Sequence, residues 1–448
     1  MARWIDLNLL TDILSYLKSK RTYFAELYAI YEDSFSVSLG DDGLEHLEKS
    51  KGGGVGIRLL SEDGKMGFAH TNSLTFEDLK KTADEALARL SFSSPDPFRR
   101  YSPPIGTYPD VCVYDDTISH ITESQKIAVA ENLYGITKGA HPKLEKVRKA
   151  EYNDGAYEVI LANSLGILLQ REGTYFSVSL AVLASEKDEK EMGYYSQEKR
   201  FFEELDLSEV SRKAIDRAVS LLGGKRVKSQ KIPIILAPEV TADFISLFSV
   251  LLSAENVQKG KSLLCGRLGK KIASDKFTLI DDGTMEKGMG SAPFDAEGFP
   301  TKRKEVVVDG ILETYLHNLY TASKDGVDTT GNAVRGYASI PSVGITNLFI
   351  MPGEKEPEEI LKNVNKGLYI LEVMGLHTVN LISGDFSLGV SGIWIENGEF
   401  AFPVKGVTIA GNLLEFFNRL EEVGKDLTFF GTVGGVTLVV SDVMVGGE

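Results

Sequence analysis

The stretch that decides the fold is residues 144–183, which read LEKVRKAEYNDGAYEVILANSLGILLQREGTYFSVSLAVL. Apolar and polar residues alternate clearly in its last part, and turn-forming clusters interrupt it, a pattern that predicts several β-strands. The predicted strands cover residues 144–152, 157–162, 165–170 and 176–183. A helix is expected on each side of them.

Two capping signals place those flanking helices. Thr122 and Gln125 have the spacing of a capping box, which predicts a helix up to about Thr137. Ser208 is the predicted cap of a closing helix that runs to Leu222 and stops at the glycine pair 223–224.

The same order of elements precedes this block. An amphipathic helix is predicted over residues 4–20, and Thr75 caps a second helix that runs to about Leu90. Between them lie predicted strands at 25–31, 35–39, 55–60 and 67–70, the last two joined by the hairpin signal Asp63-Gly64. Either the chain repeats one helix–strands–helix unit, or two α+β layers look alike at this coarse level.

Beyond residue 225 the composition shifts toward strands and glycine turns. Asp309-Gly310 and Asn397-Gly398 separate apolar runs and predict hairpins, and further strands are expected at 345–351 and 436–445. Helices are predicted at 238–252, 357–365 and 410–423. The predicted fold class is therefore α+β, with a mainly antiparallel, curved β domain carrying a few helices in the C-terminal half.

Four segments follow from these boundaries. Residues 1–94 form an N-terminal α+β unit and 110–225 a second one, while five prolines mark 95–109 as a linker. Residues 226–448 form the C-terminal β-rich domain.

Composition limits the class of function. The 448 residues include 49 Lys and Arg against 64 Asp and Glu, a net charge of −15, which argues against nucleic-acid partners. No apolar run approaches the length of a membrane span, residues 1–4 lack a signal-peptide pattern, and two cysteines exclude a disulfide framework. We expect a cytoplasmic protein without membrane contact.

Motifs for catalysis are weak. No two of the six histidines have the helical spacing of a zinc site. His317, His377 and Asp385 could still converge in the fold, although a structural histidine is the commoner case. The glycine run 52–56 and the stretch 259–262 lack the context of a phosphate loop and are predicted to be flexible turns.

Small and polar residues gather in loops of the C-terminal half, at 291–301, 317–318, 330–332, 377–380 and 383–386. Such loops suit a groove that binds a peptide, although turns of a β-rich domain are the commoner explanation. The candidate groove residues are Asp295, His317, Asn318, Asn332, His377, Asn380 and Asp385.

Several short motifs follow one another in the C-terminal half, at 266–269, 281–284, 295–301, 352–354, 383–386, 403–406 and 411–412. Their order resembles the TldD/PmbA family, whose PmbA branch is also called TldE and described as a modulator of DNA gyrase. They cover about residues 225–448, whereas the N-terminal half resembles the family in layout more than in motifs.

The resemblance implies one of two kinds of chain. TldD-type chains resemble metallopeptidases in which an HExxxH helix and a late cysteine hold zinc, and TldE-type chains lack these ligands and pair with a TldD partner. On this chain the two histidine positions fall on Ile245 and Val250, the glutamate on Ser246 and the cysteine near Val433. The resemblance is therefore to the TldE branch, with no catalytic or metal-binding residue in this chain and zinc in the partner.

The expected function is that of the non-metal subunit of a peptidase assembly that cleaves unfolded peptides. Two alternatives remain open at this point: an independent hydrolase using His317, His377 and Asp385, and a non-proteolytic regulator of DNA gyrase. The isolated chain is also expected to form a homodimer, since a surface built for a related partner can pair with itself.

Overall fold

A computed structural model describes residues 4–20, 24–101, 103 and 107–447. Residues 1–3, which belong to the predicted N-terminal unit, and residues 102 and 104–106 of the predicted linker lie outside the described residues. None of the helices in the described part of the chain combines the length and apolarity that a membrane span requires.

The N-terminal half is built on one antiparallel sheet of six strands in the order β3-β2-β1-β4-β5-β6. Its strands are β1 (Phe24–Gly40), β2 (Gly43–Leu60), β3 (Met66–Thr71), β4 (Leu144–Asn163), β5 (Leu168–Glu186) and β6 (Glu189–Lys199). Its helices are α1 (Leu7–Ser19), α2 (Phe76–Phe92), α3 (Glu123–Thr137) and α4 (Leu207–Ser220). The order helix, three strands, helix occurs twice, and β1 pairs with β4, so both units share a single sheet.

The strands are longer than predicted. Each of β1, β4 and β5 joins two predicted strands into one, because pairing on both sides satisfies the backbone even where polar residues interrupt the apolar pattern. The prediction missed β6 and the first half of β2, which lie at the edges of the sheet and contain many charged and polar residues.

The glycine run 52–56 is not a flexible turn, so that prediction is wrong. Gly52, Gly53 and Gly54 lie inside β2 and pair with residues 30–32 of β1. A Cβ on Gly53 would lie 2.0 Å from the carbonyl oxygen of Ile30. The glycine therefore permits a close strand contact. The stretch 259–262 does contain the predicted turn, with Gly260 at φ 66°.

The two faces of the N-terminal sheet have different partners. Alternate residues of β1 point to opposite faces, and Leu27 and Val37 belong to the face covered by the four helices. Tyr28 points the other way and packs against Phe294 and Ala333 of the C-terminal half. The sheet is thus sandwiched between its own helices and the C-terminal domain.

The C-terminal half contains two six-stranded sheets, in the orders β10-β9-β8-β13-β19-β18 and β16-β15-β14-β7-β20-β17. Most neighbouring strands are antiparallel, and β16 pairs with both β15 and β20, so the second sheet curves into a closed ring. The strands are β7 (Gln230–Leu236), β8 (Leu279–Asp282), β9 (Arg303–Val308), β10 (Ile311–Leu312), β11 (Ala333–Val334), β12 (Ser342–Val343), β13 (Leu348–Ile350), β14 (Lys366–Met374), β15 (Asp385–Glu396), β16 (Glu399–Asn412), β17 (Leu420–Val423), β18 (Thr428–Phe430), β19 (Val433–Gly435) and β20 (Leu438–Gly446). The helices are α5 (Pro238–Leu251), α6 (Ala254–Gln258), α7 (Leu319–Asp325), α8 (Pro357–Lys362) and α9 (Leu413–Asn418). The α+β fold with a mainly antiparallel, curved C-terminal domain is confirmed.

Local turn and cap chemistry was predicted with mixed success. Both C-terminal hairpins are confirmed, with φ of 48° and 77° at Asp309-Gly310 and 54° and 76° at Asn397-Gly398. The capping box of Thr122 is also confirmed. The cap of α4 is Asp206 instead of Ser208.

The helix predicted over residues 410–423 is largely wrong. Its first part completes β16, its last part is β17, and α9 is a short helix of six residues between them. The apolar residues of this stretch serve the domain core through three separate elements.

The core of the C-terminal domain centres on α5. Phe244 and Phe248 of this helix are fully buried and make edge-to-face or tilted contacts with aromatic rings from other elements, among them Phe277 and Phe417. The predicted helix at 238–252 is confirmed, and its apolar composition is explained by this packing.

Candidate functional site

A buried group of charges lies where the N-terminal sheet meets the C-terminal domain. The Arg58 guanidinium on β2 donates to both carboxylate oxygens of Glu26 on β1, at 3.1 and 3.2 Å. Arg335 lies 2.7 Å from the same carboxylate, and Arg58 also reaches Glu297 at 3.4 Å. The four side chains are at most 7% exposed, so two arginines and two glutamates compensate one another away from water.

Charge pairing controls the ionisation of this group. Burial alone would raise the pKa of Glu26, but Arg335 and Arg58 together hold it below its ordinary value. Burial raises the pKa of Glu297, and Arg58 only partly opposes the effect. Glu26 is therefore the firmly ionised member of the group.

Asp295 lies beside this group of charges and binds the backbone of its own loop. Its carboxylate accepts hydrogen bonds from the backbone N–H groups of Glu297 at 2.9 Å, Phe299 at 3.0 Å and Ala333 at 3.0 Å. Burial, with a contribution from the charge of Glu297, raises the pKa of Asp295 to about 7. Asp295 thus ties its own loop to Ala333 of β11 and can change charge near neutral pH.

His317 and Asn332 lie in the same buried region. Burial lowers the pKa of His317, so the imidazole is neutral at pH 7, and its Nδ1 has no hydrogen-bond partner among the described residues. The backbone N–H of His317 donates to Thr330 Oγ1 at 2.7 Å. The Asn332 amide donates to Asp281 at 2.8 Å and to the Gly344 carbonyl at 2.9 Å.

An open cleft adjoins the buried group. It has a volume of about 240 Å³ and lies between the N-terminal sheet and the C-terminal domain. Asn318, which caps α7 through a 2.9 Å bond from the Thr321 N–H, is one of its walls. The remaining lining residues are Arg58, Leu60, Met66, Arg99, Arg100, Glu255, Lys259, Glu297, Tyr320, Ile340 and Pro341.

The other predicted residues lie elsewhere. His377 and Asn380 lie in an exposed loop, and Asp385 is the exposed first residue of β15. Asn380 accepts from the Ile382 and Ser383 N–H groups, and Asn412 donates to Asp385 at 3.1 Å. Within the described ranges, no hydrogen bond or ion pair joins this loop to His317. The structure thus brings together Asp295, His317, Asn318 and Asn332 and leaves the other three residues apart.

Sequence reasoning missed the charged centre of the region. Glu26 and Arg58 are single charges inside apolar runs, FAELYAI and VGIRLL, and a buried charge in such a run requires a partner. That signal could have identified both residues, but it could not identify Glu297 or Arg335.

The positions that the family resemblance assigns to zinc ligands lie on α5 and β19, two elements that pack against each other. Helix α5 packs on β19 so tightly that a Cβ on Gly435 would lie 1.9 Å from the Pro238 carbonyl oxygen. The residues there do not fit a zinc ion, because Ile245 is fully buried in the apolar core and Val250 and Val433 carry no ligand atom. In the described part of the chain, no group of three or more His, Cys, Asp or Glu side chains is arranged to hold a metal ion.

Three family models match successive stretches of the chain. Models of the PmbA/TldA metallopeptidase domains match residues 25–90 as domain 1, 116–222 as the central domain and 229–447 as the C-terminal domain. The chain belongs to the PmbA/TldD family. The resemblance stated from its motifs is confirmed.

Individual members of the PmbA/TldD family match along almost the whole chain. The metalloprotease PmbA of Escherichia coli O157:H7 is 28% identical, over 96% of this chain and 94% of that protein. A Thermotoga maritima crystal structure, named a proposed modulator of a DNA gyrase, has a TM-score of 0.91 and 29% identity, covering 98% of this chain and 99% of that one. TldE from Thermococcus kodakarensis has a TM-score of 0.90 at 21% identity, covering 98% and 100%, and shows the shared fold.

Proposed function

We propose that this chain is the TldE-like, non-metal subunit of a TldD/TldE-type metallopeptidase assembly that processes unfolded peptides. In this proposal a TldD-like partner holds the zinc ion and activates the water. This chain completes the path along which the peptide reaches the partner.

The observation that carries the proposal is the chemistry of α5 and β19. A peptidase zinc ion needs nitrogen, oxygen or sulfur ligands and a base that removes a proton from the bound water. Ile245, Val250 and Val433 supply none of these, and Ser246 is a poor base compared with a carboxylate. Membership in a metallopeptidase-type family together with these substitutions supports a role as the partner of an active chain.

The test is reconstitution. This chain and a TldD-like metallopeptidase are purified separately and assayed alone and mixed on a fluorogenic unfolded peptide. We expect cleavage by the mixture well above that of either chain alone, sensitivity to a chelator, and co-elution in size-exclusion chromatography. Cleavage by this chain alone, or a mixture no more active than the partner, would refute the proposal.

Regulation of DNA gyrase is a second candidate function, favoured by the name of the Thermotoga maritima structure. The net charge of −15 is compatible with protein contact and unfavourable for DNA binding. A pull-down that retrieves topoisomerase subunits without a TldD-like chain would support it over the peptidase assembly. The third reading, a hydrolytic site of His317, His377 and Asp385, gains no support from the separate positions of these residues.

Two further properties remain proposals. The isolated chain forms a homodimer, which light scattering at micromolar concentration tests directly. The protein resides in the cytoplasm, which fractionation of the source cells tests.

A further inference from the structure

We infer that the cleft between the N-terminal sheet and the C-terminal domain binds the C-terminal residue of a peptide. The terminal carboxylate lies against Arg100 and Lys259, and the last side chain packs on Ile340 and Pro341. This inference rests on the proposed function for the supply of peptides and specifies which end of the substrate this chain holds.

The charge of the cleft differs from that of the protein as a whole. Among the described residues, four cations and two carboxylates line the cleft, whereas the whole chain carries a net charge of −15. Both carboxylates are engaged, Glu297 with Arg58 and the Leu319 N–H at 2.7 Å, and Glu255 with Lys259 at 2.5 Å. Because Glu26 and Asp96 pair with Arg58 and Arg99 from outside the lining, the uncompensated positive charge in the cleft is that of Arg100, and this charge attracts an anion.

The cations of the cleft differ in how firmly they are paired. Arg58 is neutralised in the buried group, and Arg99 lies 3.7 Å from Asp96 and donates to the Gly64 carbonyl at 3.3 Å. Arg100 is exposed and has no hydrogen bond or ion pair to any other residue that the structure describes. Lys259 is 55% exposed in a weak surface pair, so it can exchange Glu255 for another carboxylate.

Part of the cleft lining is apolar. Ile340 is 43% exposed although it lines the cleft, and Leu60, Met66 and Pro341 complete the apolar lining. A ligand that suits both walls has a negative charge and an apolar group close together. A peptide's last residue has both on one Cα atom, and a volume of about 240 Å³ holds about one or two residues.

The inference is tested with the full chain and labelled hexapeptides in a fluorescence anisotropy titration at low salt. One peptide ends in leucine with a free carboxylate, a second is its amide, and a third is an amide with aspartate before the leucine. We expect the free acid to bind about tenfold or more tightly than either amide, since a hydrogen bond to a charged group is worth that factor. Equal binding of the free acid and its amide overturns the inference, and tight binding of the aspartate peptide assigns the site to acidic side chains instead.

A variant pair locates the contact. Arg100→Gln is expected to weaken binding of the free acid about tenfold while binding of the amide is unchanged. Arg148→Gln, at an exposed arginine of β4 outside the cleft, is the matched control and is expected to change neither. Both arginines are exposed, so circular dichroism should show native folding. An Arg100→Gln chain that binds the free acid normally would overturn the inference.

The outcome is separable from that of the proposed function. If the mixture with a TldD-like partner cleaves peptides but this chain has no preference for free acids, only the present inference fails. If this chain prefers free acids but the mixture does not cleave, only the proposed function fails.

Discussion

Glu26 and Arg58 are direct neighbours across the β1–β2 pairing, and the arginine donates to both oxygens of the carboxylate at 3.1 and 3.2 Å. Arg335 approaches the same carboxylate from the C-terminal half. One ion pair of the N-terminal sheet thus anchors the domain that packs on the sheet.

Glu26→Gln is predicted to destabilise the protein by about 3 kcal/mol. The substitution removes the charge that compensates Arg58 and Arg335, and breaking a buried pair from one side leaves an uncompensated charge. Urea unfolding at pH 7 measures the loss. Glu186→Gln, in an exposed pair with Lys143, is the control and should cost less than about 1 kcal/mol. A similar cost for both substitutions would contradict the assignment.

The raised pKa of Asp295 predicts that the protein becomes less stable as the pH rises toward neutrality. Its pKa is about 7 in the folded state and near 3.8 ordinarily, so between these values the folded state binds a proton that the unfolded state lacks. The free energy of unfolding therefore falls between about pH 4 and pH 7 and levels off above pH 7. The full slope is up to about 1.4 kcal/mol per pH unit.

Asp295→Asn removes this contribution. Between pH 5 and pH 7 the wild-type protein should lose about 2 kcal/mol more stability than the variant, judged from the slopes of urea unfolding against pH. Absolute stability is not the readout, because the new amide places an N–H group toward the Ala333 N–H. Asp12→Asn, at an exposed position of α1, serves as the control, and parallel slopes for wild type and Asp295→Asn would disprove the prediction.

Two neighbouring glycines of β2 should respond differently to alanine. Gly53→Ala places a Cβ 2.0 Å from a backbone oxygen of β1, which forces the strands apart and should cost about 2 kcal/mol or more. Gly52→Ala meets nothing within 4 Å and should be neutral or slightly stabilising, since alanine loses less backbone entropy in a strand. Thermal unfolding of the two variants measures the difference in their stability. Equal midpoints would show that the strand contact is not tight.

The two histidine positions of the family pattern differ in their packing role. Ile245→Ala removes a fully buried side chain from the core and should cost about 2–5 kcal/mol. Val250→Ala changes a side chain that is 40% exposed and should cost less than about 1 kcal/mol. Chemical unfolding of both variants gives the comparison, and a negligible effect at Ile245 would mean that α5 is not packed as described.

Much of the fold could be predicted from the chemistry of adjacent residues. The turns at Asp309-Gly310 and Asn397-Gly398 and the cap at Thr122 depend on a few adjacent residues, and sequence patterns record such preferences directly. The edge strand β6 could not be predicted in this way. Five of its eleven residues are charged, and its conformation depends on backbone pairing with β5.

The candidate site was harder to predict from the sequence, because it too depends on contacts between distant parts of the chain. Asp295, His317, Asn318 and Asn332 come from neighbouring loops, and their clustering was a reasonable expectation. Arg58 and Glu297, however, are 239 positions apart in the chain, and their contact requires the register of the sheet and the docking of two halves. The cleft could not be predicted from the sequence for the same reason, since its walls come from both halves of the chain.

The pairing of β1 with β4 has a consequence for biosynthesis. More than a hundred residues separate the two strands, so a newly made β1 leaves the ribosome with one edge unpaired. At a synthesis rate of about 5–20 residues per second, that edge waits on the order of 5–20 s for its neighbour. Throughout this interval the nascent chain exposes a long strand edge, which can pair with the strands of other nascent chains.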